Sequence, residues 1–67
     1  MLAINNLRKN HYYFIKNDGV DCRFFVLDII SKDNYLIKNI DTLEIFEFQD
    51  LVRYGIAKDY LLEELSI

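Results

Sequence analysis

The chain has 67 residues, 52% of them hydrophobic, with one cysteine, one histidine and no proline. This length predicts a single small domain over residues 1–67, and one Cys with one His excludes an intrachain disulfide and a His/Cys metal site, so we expect no metal and no cofactor. The net charge of −3 argues against attraction of the whole protein to nucleic acid or to an anionic membrane.

The chain opens with an N-terminal segment, residues 1–10, for which we expect little regular structure. Residues 11–16 are rich in aromatic and β-branched side chains, as strands are. This first predicted strand ends at Asp18-Gly19, a pair that favours a tight hairpin because glycine accepts a positive φ without steric cost. A second strand is predicted over residues 20–30.

The second predicted strand carries apolar side chains on both of its faces. The two parities contain, respectively, Cys22, Phe24, Val26 and Ile30, and Phe25, Leu27 and Ile29. A flat, half-buried strand alternates between apolar and polar residues, so this run predicts a bent strand in which a bulge changes the inward parity. The sequence leaves open which set faces the core.

Turn residues separate two further predicted strands, over residues 35–40 and 43–48. Together, the four strands form an antiparallel meander over residues 11–48. The remainder, residues 49–67, is predicted to hold one helical turn and a C-terminal helix, because good helix formers and helical spacing of apolar residues follow Gly55. A final strand over residues 60–65 is the alternative interpretation.

This order of elements resembles the SH3-like small β-barrels, the group that includes the Tudor and KOW modules. The resemblance rests on the bent strand at residues 24–30, on residues 33–39 before a tight turn, and on residues 46–48 before a helical turn. It implies a mainly β (β-rich α+β) fold, a partly open barrel of four to five antiparallel strands with a short helical turn and a C-terminal helix. Families of this kind bind peptides, methylated side chains or nucleic acid. Such barrels often have glycine after an Asp-Thr pair in the third hairpin, where this chain has Leu43.

The sequence offers no pattern typical of a catalytic site. His11 has no Ser or Cys near it, and Cys22 lies on a predicted strand rather than at a helix N-terminus. Glu44 and Glu47 differ in parity on a strand and therefore point to opposite faces. We expect no enzymatic activity.

Ten aromatic side chains are more than a core of this size can enclose. Tyr13, Tyr35 and Phe46 lie on three strands that can be neighbours, so they are the candidate partner-binding residues. We expect a non-catalytic interaction module or accessory protein that binds another protein or self-associates. The alternative is a nucleic-acid-binding barrel that combines the tyrosines with basic residues of the first forty positions. These basic residues are Arg8, Lys9, Lys16, Arg23, Lys32 and Lys38.

The sequence also predicts the cellular compartment of the protein. No apolar run approaches the roughly 20 residues of a membrane span. Residues 1–6 lack the charged start and long apolar core of a signal peptide. Together with the single free cysteine, these features predict a cytoplasmic protein that does not enter a membrane.

Overall fold

Five antiparallel strands form one sheet in the computed structural model of the chain, which describes residues 2–66. The strands are β1 (Tyr12–Asn17), β2 (Val20–Ser31), β3 (Asn34–Asn39), β4 (Ile45–Glu47) and β5 (Leu61–Leu65). A 3₁₀ turn covers Ile4–Asn6, and one turn of helix, α1, covers Phe48–Leu51. The strand order is β4-β3-β2-β1-β5, which confirms the predicted mainly β class. Within residues 2–66, no helix is both long enough and apolar enough to cross a membrane.

The first hairpin closes through a two-residue turn between β1 and β2. Asp18 and Gly19 have φ angles of 47° and 84°, and Asn17 pairs with Val20 on either side of them. Two successive positive φ values are typical of a type I′ turn, whose twist matches that of the strands it joins. The tight hairpin predicted at Asp18-Gly19 is confirmed.

The long strand β2 changes direction at irregularities in its pairing with β3. The first register shift lies between Val26 and Asp28. Before it, Cys22, Phe24 and Val26 are at most 5% exposed, whereas residues 28–31 are exposed. The extra residue at a bulge bends and twists the strand, and beyond it the side chains of β2 lie outside the core while the pairing with β3 continues. The predicted bulge is confirmed, with the parity of Phe24 inward before it. The predicted change of inward parity does not occur, because neither parity is buried beyond the bulge.

The core lies on one face of the sheet, and α1 closes one side of it. Phe48 of α1 is fully buried, with its ring edge-on to that of Tyr35 at a centroid distance of 5.8 Å and 5.7 Å from that of Phe24. Full burial of a phenylalanine contributes about 1.5–3 kcal/mol. The buried apolar side chains are Leu7, Tyr13, Ile15, Cys22, Phe24, Val26, Tyr35, Ile37, Phe48, Val52 and Leu62.

The C-terminal helix favoured by the sequence is wrong, and the alternative, a strand over residues 60–65, is confirmed, because Leu61–Leu65 forms a strand that pairs antiparallel with β1. Leu62 lies opposite Ile15, and both side chains are buried in the core. Pairing with β1 provides partners for the backbone groups on its second edge, and it buries Leu62 as well. Together these gains outweigh the intrinsic helix propensity of a five-residue segment. The helical turn predicted within residues 49–67 is present as α1, which begins one residue before that range, at Phe48.

Candidate functional site

The outer face of the sheet, opposite the core, carries a row of neighbouring side chains. The register places Leu65, Tyr12, Phe25, Lys38 and Ile45 side by side on the five strands. Residues directly opposite each other on antiparallel strands project to the same face. The rings of Tyr12 and Phe25 pack with their centroids 4.7 Å apart. The row is therefore an apolar stripe that contains one ammonium group.

A groove of about 450 Å³ opens on this outer face, and we call it the outer groove. It is lined by Tyr12, Phe25, Leu27, Lys38, Ile40 and Leu43. Leu43 at its rim is 65% exposed, and Ile45 in the adjoining row is 59% exposed. Exposed apolar side chains gathered around a concave surface are a common feature of binding sites.

The turn between β3 and β4 positions the rim of the outer groove. The Oδ1 atom of Asn39 accepts hydrogen bonds from the backbone N–H groups of Asp41 at 2.8 Å and Thr42 at 3.1 Å. The backbone N–H of Leu43 donates to the carbonyl oxygen of Asn39 at 2.7 Å. An asparagine that binds its own following backbone in this way fixes the turn. These hydrogen bonds therefore fix the position of the Leu43 backbone at the groove.

Arg23 on β2 holds the same turn against the sheet. Its Nε donates to Asp41 Oδ2 at 3.2 Å, its Nη2 donates to Oδ1, and its carbonyl oxygen accepts from Ile40 N–H at 3.0 Å. The hydrogen bond from Arg23 lowers the pKa of the Asp41 carboxyl below its usual value. Because both side chains are exposed, the pair contributes little to stability, and its effect is to orient the turn.

Leu43 has a left-handed backbone conformation, with a φ angle of 66°. Its N–H donates to the Asn39 carbonyl within the hairpin turn, and glycine adopts this left-handed conformation without steric cost. A β-carbon there crowds the neighbouring carbonyl and costs about 1–2 kcal/mol. Backbone strain of this kind is concentrated at binding and active sites.

Lys38 is half-buried in the row between Phe25 and Ile45. None of the ion pairs in the described part of the chain includes it. These pairs are Lys9–Asp28, His11–Glu64, Arg23–Asp41 and Arg53–Asp50. The ammonium group of Lys38 therefore lies on the outer face without a carboxylate from residues 2–66 within 4 Å of it.

The three partner-binding candidates from the sequence lie elsewhere. Tyr13 and Tyr35 are core residues, each 1% exposed, and Phe46 is half-buried opposite Ile37 on the core side of β4. The prediction that Tyr13 and Tyr35 present exposed rings to a partner is therefore wrong, because both rings are buried in the core. Partner binding by Phe46 stays a prediction.

The N-terminal segment is what buries these tyrosines. The hydroxyl of Tyr35 donates to the carbonyl oxygen of Ile4 at 2.7 Å, and that of Tyr13 accepts from Arg8 N–H at 2.8 Å. Leu7, in the same segment, belongs to the core and is 5% exposed. Burial raises the pKa of both tyrosine hydroxyls. The hydroxyls thus act as structural hydrogen-bonding groups.

Reasoning from the sequence missed the outer groove, although two signals for it were present. One is Leu43 at a position where related turns often have glycine. The other is the second apolar parity of β2, which contains Phe25 and Leu27. Both signals are apolar side chains that lie outside the core.

Cys22 should react slowly with a thiol reagent in the folded protein. The thiol is buried and its Sγ lies 3.7 Å from the carbonyl oxygen of Arg23. Burial, with the nearby Asp41 charge, raises the pKa of this thiol, so the thiolate that reacts is depleted at neutral pH. We expect labelling at least about a hundredfold slower than in urea, because reaction requires opening of the fold.

The raised pKa of Cys22 also gives the pH dependence of stability a defined sign. Because the pKa of Cys22 is higher in the folded state, its contribution to stability is complete below the unfolded pKa and is lost as pH rises through the folded one. Equal labelling rates in native and urea-unfolded protein would place Cys22 on the outer face instead.

Comparisons with known protein families, with curated proteins and with solved structures find no match for the chain. Residues 2–66 contain no cluster of three His, Cys, Asp or Glu side chains that could hold a metal ion. Any function assigned to the outer groove therefore has to be argued from its own geometry.

Proposed function

We propose that this protein is a non-catalytic binding module, a cytoplasmic accessory protein that holds another protein in its outer groove. The observation that carries the proposal concerns Leu43. Its side chain is exposed at the groove rim, and its backbone has a left-handed conformation. A glycine would form the same turn without this strain, so a leucine at this position costs the fold stability. Large apolar side chains around a concave patch are typical anchors for a partner.

The topology supports the further proposal that the domain is an SH3-like small barrel. The strand β5 joins the far edge of β1, and α1 lies in the connection between β4 and β5. One bent strand, β2, pairs with both of its sequence neighbours. In this proposal the binding surface is the outer face beside the β3–β4 turn.

A nucleic-acid-binding role has less support from the charges. Lys9 Nζ lies 3.9 Å from Asp28, and Arg23 is paired with Asp41, so carboxylates neutralise two of the six basic residues considered. Because phosphate contacts supply most non-specific affinity, we expect no micromolar binding to single- or double-stranded oligonucleotides at physiological salt. A fluorescence titration measures this. Micromolar affinity that falls steeply with added salt would favour nucleic acid over protein as the ligand.

Leu43→Gly tests the proposal, because it should separate stability from binding. Relief of the left-handed strain should leave the melting temperature unchanged or raise it. Loss of the exposed side chain should weaken partner binding at least about tenfold. The tagged wild-type domain is used to capture proteins from an extract of the source cells. Each captured protein is then purified, and its affinity for wild type and variant is measured by calorimetry.

Tyr54→Ala is the matched control, since Tyr54 is 95% exposed and lies outside the outer groove. It removes a larger exposed apolar side chain and should leave the affinity unchanged. The proposal fails if Leu43→Gly binds the purified partner as tightly as wild type does, or if Tyr54→Ala abolishes binding.

A further inference from the structure

The outer groove combines an apolar lining with one half-buried cation. Lys38 lies between the ring of Phe25 and the exposed side chain of Ile45, directly opposite each of them in the strand register. Its long apolar stem can pack along such a surface while the ammonium stays in water. In the free protein, water therefore solvates a charge that the described residues leave unpaired.

Docking of a partner changes the surroundings of this charge. An apolar side chain that fills the groove against Tyr12 and Leu43 displaces water from the Lys38 side of the lining. Removing water from an ammonium group is unfavourable unless an anion replaces it. A partner that brings only apolar atoms is therefore penalised, and one that brings a carboxylate is favoured.

We propose that the outer groove selects a protein segment in which a large apolar side chain is flanked by Asp or Glu, and that Lys38 pairs with that carboxylate. The inference rests on the proposed function and names the chemistry of the partner. It makes Lys38 the residue that determines specificity and Leu43 an apolar anchor.

Two other occupants fit this site less well. An isologous dimer centred on the groove brings a second Lys38 ammonium toward the first, so the two charges repel each other. Nucleic acid requires several cations along a phosphate backbone, whereas Lys38 is the one basic residue among those lining the groove. A carboxylate on a protein segment matches a single positive charge in an apolar setting.

A peptide-display selection tests the pairing and does not require the natural partner. A library of random twelve-residue peptides is selected in parallel against the wild-type domain, Lys38→Glu and Leu43→Gly. Wild type should enrich sequences with a large apolar residue and Asp or Glu at a fixed spacing from it. Lys38→Glu should enrich Lys or Arg at the acidic position, because the reversed charge reverses the preference.

An enriched peptide is then synthesised and titrated against single-site variants. Lys38→Met keeps the apolar stem and loses the charge, so it should bind about tenfold more weakly, while Lys38→Arg should keep most of the affinity. Lys32→Met is the matched control, since Lys32 is an exposed lysine in the β2–β3 turn, outside the groove, and its removal alters net charge equally. It should bind like wild type.

The outcomes separate the two proposals. If Leu43→Gly enriches no peptides but wild type and Lys38→Glu enrich the same sequences, the groove binds a partner and the carboxylate inference is overturned. If Leu43→Gly enriches the wild-type sequences, or if no bait enriches any, the proposed function fails and the inference fails with it. If sedimentation shows that the wild-type domain is a dimer and that Leu43→Gly is a monomer, both proposals fail and the groove is a self-association surface.

Discussion

Phe24→Ala should abolish the cooperative unfolding transition of this domain. The Phe24 side chain has no exposed surface, and its ring lies 5.8 Å from that of Tyr13 and 5.7 Å from that of Phe48. Removing a phenylalanine from such a site costs about 3–5 kcal/mol. The whole stability of a domain this small is about 3–5 kcal/mol, so little is left. Far-ultraviolet circular dichroism during a urea titration measures the loss.

Phe25→Ala provides the matched comparison for Phe24→Ala, because the two residues are adjacent and project to opposite faces. Phe25 is only half-buried, against Tyr12 on the outer face. Its loss should cost about 1 kcal/mol and leave a two-state transition, while affinity for a groove ligand falls. If Phe25→Ala unfolds the domain and Phe24→Ala does not, the assignment of core and outer face is reversed.

Asn17→Ala should destabilise the fold by about 2–3 kcal/mol, since two backbone groups lose their hydrogen-bond partner. The Asn17 side chain is buried, with its Nδ2 donating to the carbonyl oxygen of Gly55 at 3.1 Å and its Oδ1 accepting from Ala57 N–H at 2.8 Å. It thereby ties the connection between α1 and β5 to the first hairpin. The urea midpoint reports the loss, and faster hydrogen exchange at the Ala57 amide localises it.

Asn17→Asp distinguishes the two hydrogen bonds of this side chain. Aspartate can still accept from Ala57 N–H, but its other carboxylate oxygen would face the Gly55 carbonyl oxygen as a buried, unpaired charge. Asn17→Asp should therefore destabilise the fold at least as much as Asn17→Ala does. An Asn17→Ala protein with the parent's urea midpoint and unchanged exchange at Ala57 would show that this tie does not support the connection.

Local features of the fold were predictable from the sequence where a residue type strongly favours one backbone conformation. Asp18-Gly19 predicted its turn because both residues tolerate a positive φ, and both have one. The bend in β2 followed from apolar residues on both parities. The choice between Phe24 and Phe25 did not follow, because both are phenylalanine and either one can pack in a core. The choice is decided by the side chains that the neighbouring strands and α1 place on each face of the sheet.

The C-terminal strand and the role of residues 2–10 depend on contacts between distant parts of the chain. Leu61–Leu65 has good helix formers, and nothing in it signals that β1 has a second edge to pair. The N-terminal segment has no periodicity, yet it supplies the groups that bind the hydroxyls of Tyr13 and Tyr35. Tyrosines expected at the surface are therefore in the core. The candidate site is therefore the outer groove and not these rings.

The pairing of β5 with β1 also has a consequence for the kinetics of folding. The hairpins β1–β2, β2–β3 and β3–β4 join neighbours in sequence, whereas β5 must return from far along the chain to reach β1. Such non-local pairing raises contact order and slows folding. In any conformation in which β5 is unpaired, one edge of β1 presents unpaired N–H and C=O groups to other chains. Refolding yield should therefore fall as protein concentration rises.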